Sequence, residues 1–165
     1  MLVRMVAVAM ALASLGRASA QTVVRAFCGN NGKAHVLYAG KSEKIIPPEG
    51  EQVGCGDLAI ADDRRSVGWA VQVENCCTSY PIAVELVVLR DGKKTVISSD
   101  QTIYQWRFVD HAEKVAMLSG PVHGGASQAD LYDSRTGKKL KTWNGSGDAP
   151  KWAEGWKDEF TSEQK

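Results

Sequence analysis

Apolar and polar positions along this chain change over in short blocks of five to nine residues, with no stretch that keeps a helical period. The run Ala83-Val84-Glu85-Leu86-Val87-Val88-Leu89 is apolar at almost every position, the pattern of a strand covered on both faces. Similar blocks recur as DLAIA, VGWAVQV, KTVIS, QWRFV, KVAMLS, ADLYDS and KLKTW, and upstream as the two arms of HVLYAGKSEKII. Asp91-Gly92 and Thr136-Gly137 lie between blocks. Glycine tolerates the positive φ that a tight hairpin needs, so both dipeptides predict turns between antiparallel strands. A short terminal helix is expected over 149–160, where five charges and Gly155 leave only a weak helical pattern.

The blocks repeat. Val67 and Val115 open equivalent strands 48 residues apart, Gly92-Lys93-Lys94 falls on Gly137-Lys138-Lys139 at 45, and Trp106 falls on Trp152 at 46. The unit reads as four strands, with the hairpin of 35–46 as a further partial copy. Accordingly the chain divides into a half unit at 21–56, units at 57–103 and 104–148, and a C-terminal segment at 149–165. The stretches ADDRRSVGW and VDHAEKVAM resemble the Ser-Pro-Asp-Gly-x-x-hydrophobic-Ala-aromatic signature of WD-like and Tol-type β-propeller repeats. Asp62 and Arg64 stand where proline and glycine are usual, and His111 and Ala112 take the Asp and Gly positions of the second copy. A spacing near 46 suits a propeller blade, which runs roughly 40–50 residues. Together with its NCCTSYPI segment, the chain also resembles uncharacterised secreted bacterial proteins.

Length limits what such units can build. A closed propeller takes about four blades or more, and two units and a half fall short of that. The expected fold is therefore all-β: two propeller-like four-stranded antiparallel meanders plus an N-terminal half unit, packed as a compact sandwich or partly open barrel. Assembly of several chains into a ring is the alternative, so an oligomer is possible.

Location follows from residues 1–20. Arg4 precedes an apolar run over 5–15, and Ala18-Ser19-Ala20 supplies the small residues of a signal-peptidase site. Cleavage after Ala20 would leave 145 of the 165 residues, a single domain large enough for a real core. It would also remove two arginines, turning 20 basic against 19 acidic residues into 18 against 19. So balanced a chain has no electrostatic footprint for nucleic acid or an anionic membrane. A periplasmic or extracellular location is expected, where disulfides are allowed.

Chemistry-bearing residues are sparse. His35, His111 and His123 show no metal-ligand spacing, no Gly-x-Ser-x-Gly elbow is present, and the glycine-rich GPVHGGAS lacks the lysine of a phosphate loop. No cofactor is implied. Asp130 and Asp133, three apart on a strand, face opposite ways and are not a paired acid and base; Asp62-Asp63 is a turn that calcium would need to find in a solvated hairpin. The four cysteines, Cys28, Cys55, Cys76 and Cys77, allow three full pairings. Adjacent strand residues point to opposite faces, which favours bridges from Cys76 and Cys77 to Cys28 and Cys55. The competing pairing joins Cys28 to Cys55 and closes a vicinal ring at Cys76–Cys77. Trp69 and Trp106 are expected in the core. The loops at 76–81 and 120–127 occupy equivalent places and should share one edge. Thr78, Ser79, Tyr80 and His123, with Trp152 and Trp156, are the candidate binding residues for a protein, peptide or glycan ligand. The expected function is a non-catalytic binding module; the alternative is a small hydrolase using His123 with Ser79 or Tyr80.

Overall fold

A computed structural model describes residues 21–160; the expected export segment at 1–20 lies outside them. Eleven strands run in chain order among the described residues: β1 Val23–Cys28, β2 Ala34–Tyr38, β3 Glu43–Ile46, β4 Gln52–Ile60, β5 Ser66–Val73, β6 Ile82–Arg90, β7 Lys93–Ser98, β8 Thr102–Val109, β9 Lys114–Gly120, β10 Gln128–Asp133 and β11 Lys139–Trp143. They form three antiparallel meanders, β1-β2-β3, β4-β5-β6-β7 and β8-β9-β10-β11. The all-β expectation of one partial and two four-stranded units holds, and the sheets are open. β4 begins at Gln52 rather than Asp57, so the second unit starts earlier than the repeat suggests. The expected terminal helix is instead two single 3-10 turns, Lys151–Ala153 and Lys157–Phe160.

The sheets stack as successive layers, and the strand period decides which residue serves which layer. Val67, Trp69 and Val71 of β5, with Val87 and Leu89 of β6, pack against Val23, Ala34, Val36, Tyr38 and Ile46 of the first sheet. Their alternates Ala70, Leu86 and Val88 pack on the other side against Trp106, Val115, Met117 and Tyr132 of the third sheet. The same division separates Val115 and Met117 from Ala116 and Leu118, which face Ala153 and Trp156 of the C-terminal segment. Continuously apolar strands are thus strands with two buried faces. The outer face of the first sheet is uncovered among the described residues.

Gly68 makes room for the contact between the second and third sheets. A Cβ there would stand 2.6 Å from the Trp106 ring and 3.2 Å from Phe108. Those two rings meet edge to face at 5.2 Å. Burying a tryptophan removes roughly 200 Å2 from water, worth about 5 kcal/mol at about 25 cal/mol per Å2. The Trp106 Nε1–H is buried without a partner, which costs about 1–3 kcal/mol. Burial therefore wins, and Trp106 belongs in the core, as does Trp69.

Turn chemistry follows the sequence closely. Asp91 and Gly92 both take positive φ, 51° and 76°, as a two-residue type I′ hairpin requires. Gly137 also has positive φ, 70°.

The cysteines correct an expectation. Cys28 at the end of β1 is bonded to Cys55 in β4, tying the first sheet to the second across 27 residues. Cys76 and Cys77 are free and exposed. The argument that sends adjacent residues to opposite faces holds within a strand, whereas both lie in the loop beyond Val73, where β5 has ended.

Two stability measurements follow. Gly68→Ala should cost about 1–3 kcal/mol by overpacking, lowering Tm at roughly 2–4 °C per kcal/mol; an unchanged Tm would mean Trp106 is not seated there. In denaturant titrations, replacing both Cys28 and Cys55 with serine should remove roughly 3–4 kcal/mol, the chain-entropy value for a loop of this length.

Candidate functional site

Interstrand turns gather at one end of the stack. Arg90, at the close of β6, donates from Nη1 to the Ala112 carbonyl at 2.5 Å and to Ser134 Oγ at 3.2 Å. Asp91 pairs with Arg65 at 2.7 Å and with Arg135 at 3.6 Å. These contacts bring the β4–β5, β6–β7, β8–β9 and β10–β11 turns together, so in antiparallel meanders the β5–β6 and β9–β10 loops share the opposite end.

Two of the turns are built by the same device. Asp63 Oδ1 accepts from the Arg65 and Ser66 amides at 2.8 and 2.9 Å. Asp133 Oδ1 likewise accepts from the Arg135 and Thr136 amides at 3.1 and 2.8 Å. Each aspartate caps its own turn, so the Asp62-Asp63 turn spends a carboxylate on its own backbone. Asp130, by contrast, is buried and accepts from Tyr132, Gln128 and Thr142 while pairing with Lys139 at 2.8 Å. Burial, and then the Asp130 charge, push the Tyr132 phenol well above its ordinary range. Asp130 and Asp133 therefore do separate jobs.

Beside the turns lies an open groove of about 750 Å3. Phe108, Leu131 and Leu140 supply apolar surface, Trp152 an aromatic wall, and Asp62, His111, Lys114, Lys141 and Lys151 charged or titratable groups. The β8–β9 turn that edges it holds Asp110, His111 and Ala112 all in the left-handed region, with φ of 50°, 53° and 63°. L-residues visit that region as singles, at a cost of order 1–3 kcal/mol each. Arg90 and Ser134 hold the turn there by donating to the Ala112 carbonyl.

The expected binding residues divide between the two ends. Trp152 edges the groove, half-buried, its carbonyl accepting from Arg107 at 3.0 Å. Trp156 is not an exposed contact: it is 4% exposed. Its Nε1 donates to Gln105 at 2.9 Å, and the Arg107 guanidinium lies 4.3 Å above its ring. Sequence neighbours suggest solvent for Trp156, but the outer face of the third sheet needed a cover. Thr78, Ser79 and Tyr80 lie at the other end, lining a small cavity of about 220 Å3 with Glu74, Asn75 and Pro81. There Thr78 Oγ1 donates to the Tyr80 carbonyl at 2.6 Å, and Tyr80 is 55% exposed. Tyr104 of β8 donates to the Pro121 and Gly124 carbonyls of the β9–β10 loop. His123 in that loop lines neither cavity. Among the described residues no hydrogen bond joins it to Ser79 or Tyr80.

One surface had no signal in motif terms. On the uncovered face of the first sheet, Phe27 and His35 stack at 4.7 Å and His35 pairs with Glu43 at 2.7 Å. Ile45 beside them is 53% exposed. Alternation within HVLYA and EKII would have shown which residues face outward, but not that nothing covers them.

In the groove turn, the Lys114 ammonium, by hydrogen bond and by charge, holds the Asp110 carboxyl below the usual carboxylate range. A lowered folded-state pKa stabilises above the unfolded value, and that contribution disappears as pH falls through the folded value. An NMR titration should find Asp110 below ordinary aspartates, and Lys114→Gln should return it toward them. No known protein family matches the chain, and no curated protein is similar to it.

Proposed function

We propose that this is an exported binding module, built of propeller-like units, that holds an unidentified ligand in the groove beside Trp152. The observation that carries the reading is the groove itself, where an aromatic wall and an apolar floor are ringed by both signs of charge. Concave sites of this kind, with few placed polar groups around an apolar surface, are the usual form of a ligand pocket. Mixed rim charges suit a short peptide carrying both signs better than a polyanion. The strained turn at 110–112 adds support, because left-handed residues persist only where the surroundings hold them. Export is supported by the signal-like segment at 1–20 and by the Cys28–Cys55 bond, which fits an oxidising setting.

Calorimetric titration of the mature protein against a panel of short peptides of mixed charge tests this. Trp152→Ala should weaken binding by tenfold or more, about 1.4 kcal/mol, while Tyr80→Ala at the far end leaves it unchanged. Binding that survives the Trp152 change and is lost with Tyr80 would move the site to the loop end. Turnover of any panel member would overturn a purely binding role.

A further inference from the structure

At the loop end, away from the groove, two thiols meet. The Sγ atoms of Cys76 and Cys77 are 2.8 Å apart, and both residues are exposed. The loop is shaped around them: the Cys77 amide donates to Asn75 Oδ1 at 3.3 Å, and Thr78 Oγ1 to the Tyr80 carbonyl at 2.6 Å. The side chains thus converge although they sit on adjacent residues, which an extended strand would have kept apart. The chain elsewhere carries a formed disulfide, Cys28–Cys55. The same protein therefore holds one closed cysteine pair and one open pair at contact distance.

We propose that Cys76 and Cys77 form a reversible two-electron redox site that closes into a vicinal disulfide by exchange with an external disulfide. The step balances as two successive displacements. One cysteine thiolate attacks a sulfur of the external disulfide, forming a mixed disulfide and expelling one thiolate. The neighbouring thiol, on losing its proton to solvent, attacks the protein-bound sulfur of that mixed disulfide and expels the second. The two protein thiols are oxidised, and one external disulfide is reduced to two thiols. The Cys76 sulfur, through a hydrogen bond first and its charge second, holds the Cys77 thiol above its ordinary range.

Adjacency supplies the reversibility. Neighbouring Cα atoms across a trans peptide stand about 3.8 Å apart, whereas ordinary disulfides span about 4.4–6.8 Å. A ring closed on adjacent residues departs from that spacing, and exposed, geometrically forced disulfides are the readily exchanged ones. Cys28–Cys55, with Cα atoms 5.8 Å apart, falls within the ordinary span. Closing the ring would stiffen the wall of the small cavity lined by Thr78, Ser79 and Tyr80. This inference stands independently of the groove's ligand, since its readout is the thiols themselves.

The test is a thiol count with a peptide map on the folded protein, using glutathione disulfide as oxidant and glutathione as reductant. Trypsin releases Cys76 and Cys77 together on residues 66–90, Cys28 on 26–33 and Cys55 on 45–64, so each linkage has its own mass. The reduced pair should take two alkylating labels, and oxidation should abolish both, leaving peptide 66–90 short of two hydrogens with no adduct. Graded glutathione should reopen that ring before it releases 26–33 from 45–64. Cys77→Ser and Cys76→Ser should each stop at a stable glutathione adduct on the remaining cysteine. A lasting glutathione adduct on the native pair, a disulfide-linked dimer through 66–90, or a ring that survives conditions opening Cys28–Cys55 would each overturn the proposal.

Discussion

The structure depends on covering sheets that are apolar on both sides. A strand such as β6 sends Val87 and Leu89 one way and Leu86 and Val88 the other, so neither face tolerates water. A two-layer sandwich cannot satisfy such a sheet, because it covers only one face. Layers must be added until a face appears that solvent accepts. In this chain the series runs first sheet, second sheet, third sheet and C-terminal segment. The last of these closes the third sheet with Ala153 and Trp156 rather than with strands. At the other end the series stops because the first sheet's outer face carries Arg25, His35 and Glu43 among its apolar residues, and these are content in water.

That requirement was legible wherever it acts through strand period and turn residues. The run 83–89 announces a doubly covered strand, and Asp91-Gly92 announces its hairpin; both follow from local stereochemistry. The terminal segment was less legible. Trp106 and Trp152 stand at equivalent spacing, and they pack on opposite faces of the third sheet. One sits in a strand and the other in a 3-10 turn. Nothing in the local pattern of 149–160 says that Trp156 is a lid, since its burial is decided by Gln105 and Arg107 of a distant strand.

The candidate sites were legible in proportion to how local they are. Asp63 and Asp133 cap turns through contacts two and three residues away, and a turn motif captures that. Pinning the left-handed turn at 110–112 needs Arg90 and Ser134, each 22 residues from Ala112 in sequence, and no motif spans that distance. The disulfide failed for a related reason. The face-alternation argument was applied to Cys76 and Cys77 as if β5 continued through them, whereas β5 ends at Val73. A strand rule carried into a loop reverses a cysteine pairing, because pairing depends on direction as well as distance.

The two ends of the stack differ in how tightly they are held, and the two proposed sites divide along that difference. At the turn end, Arg65, Arg90, Asp91 and Arg135 cross-link four hairpins of two sheets. A groove formed there keeps its shape, and the turn at 110–112 can be held in a backbone conformation that costs free energy. At the loop end, the β5–β6 loop is shaped by contacts within itself, Asn75 to Cys77 and Thr78 to Tyr80. Such a segment can accept a change of covalent state without disturbing the layers beneath it, since those are fixed by β5 and β6. Rigid cross-links therefore suit the end proposed to recognise a shape. A self-contained loop suits the end where two thiols can close and open.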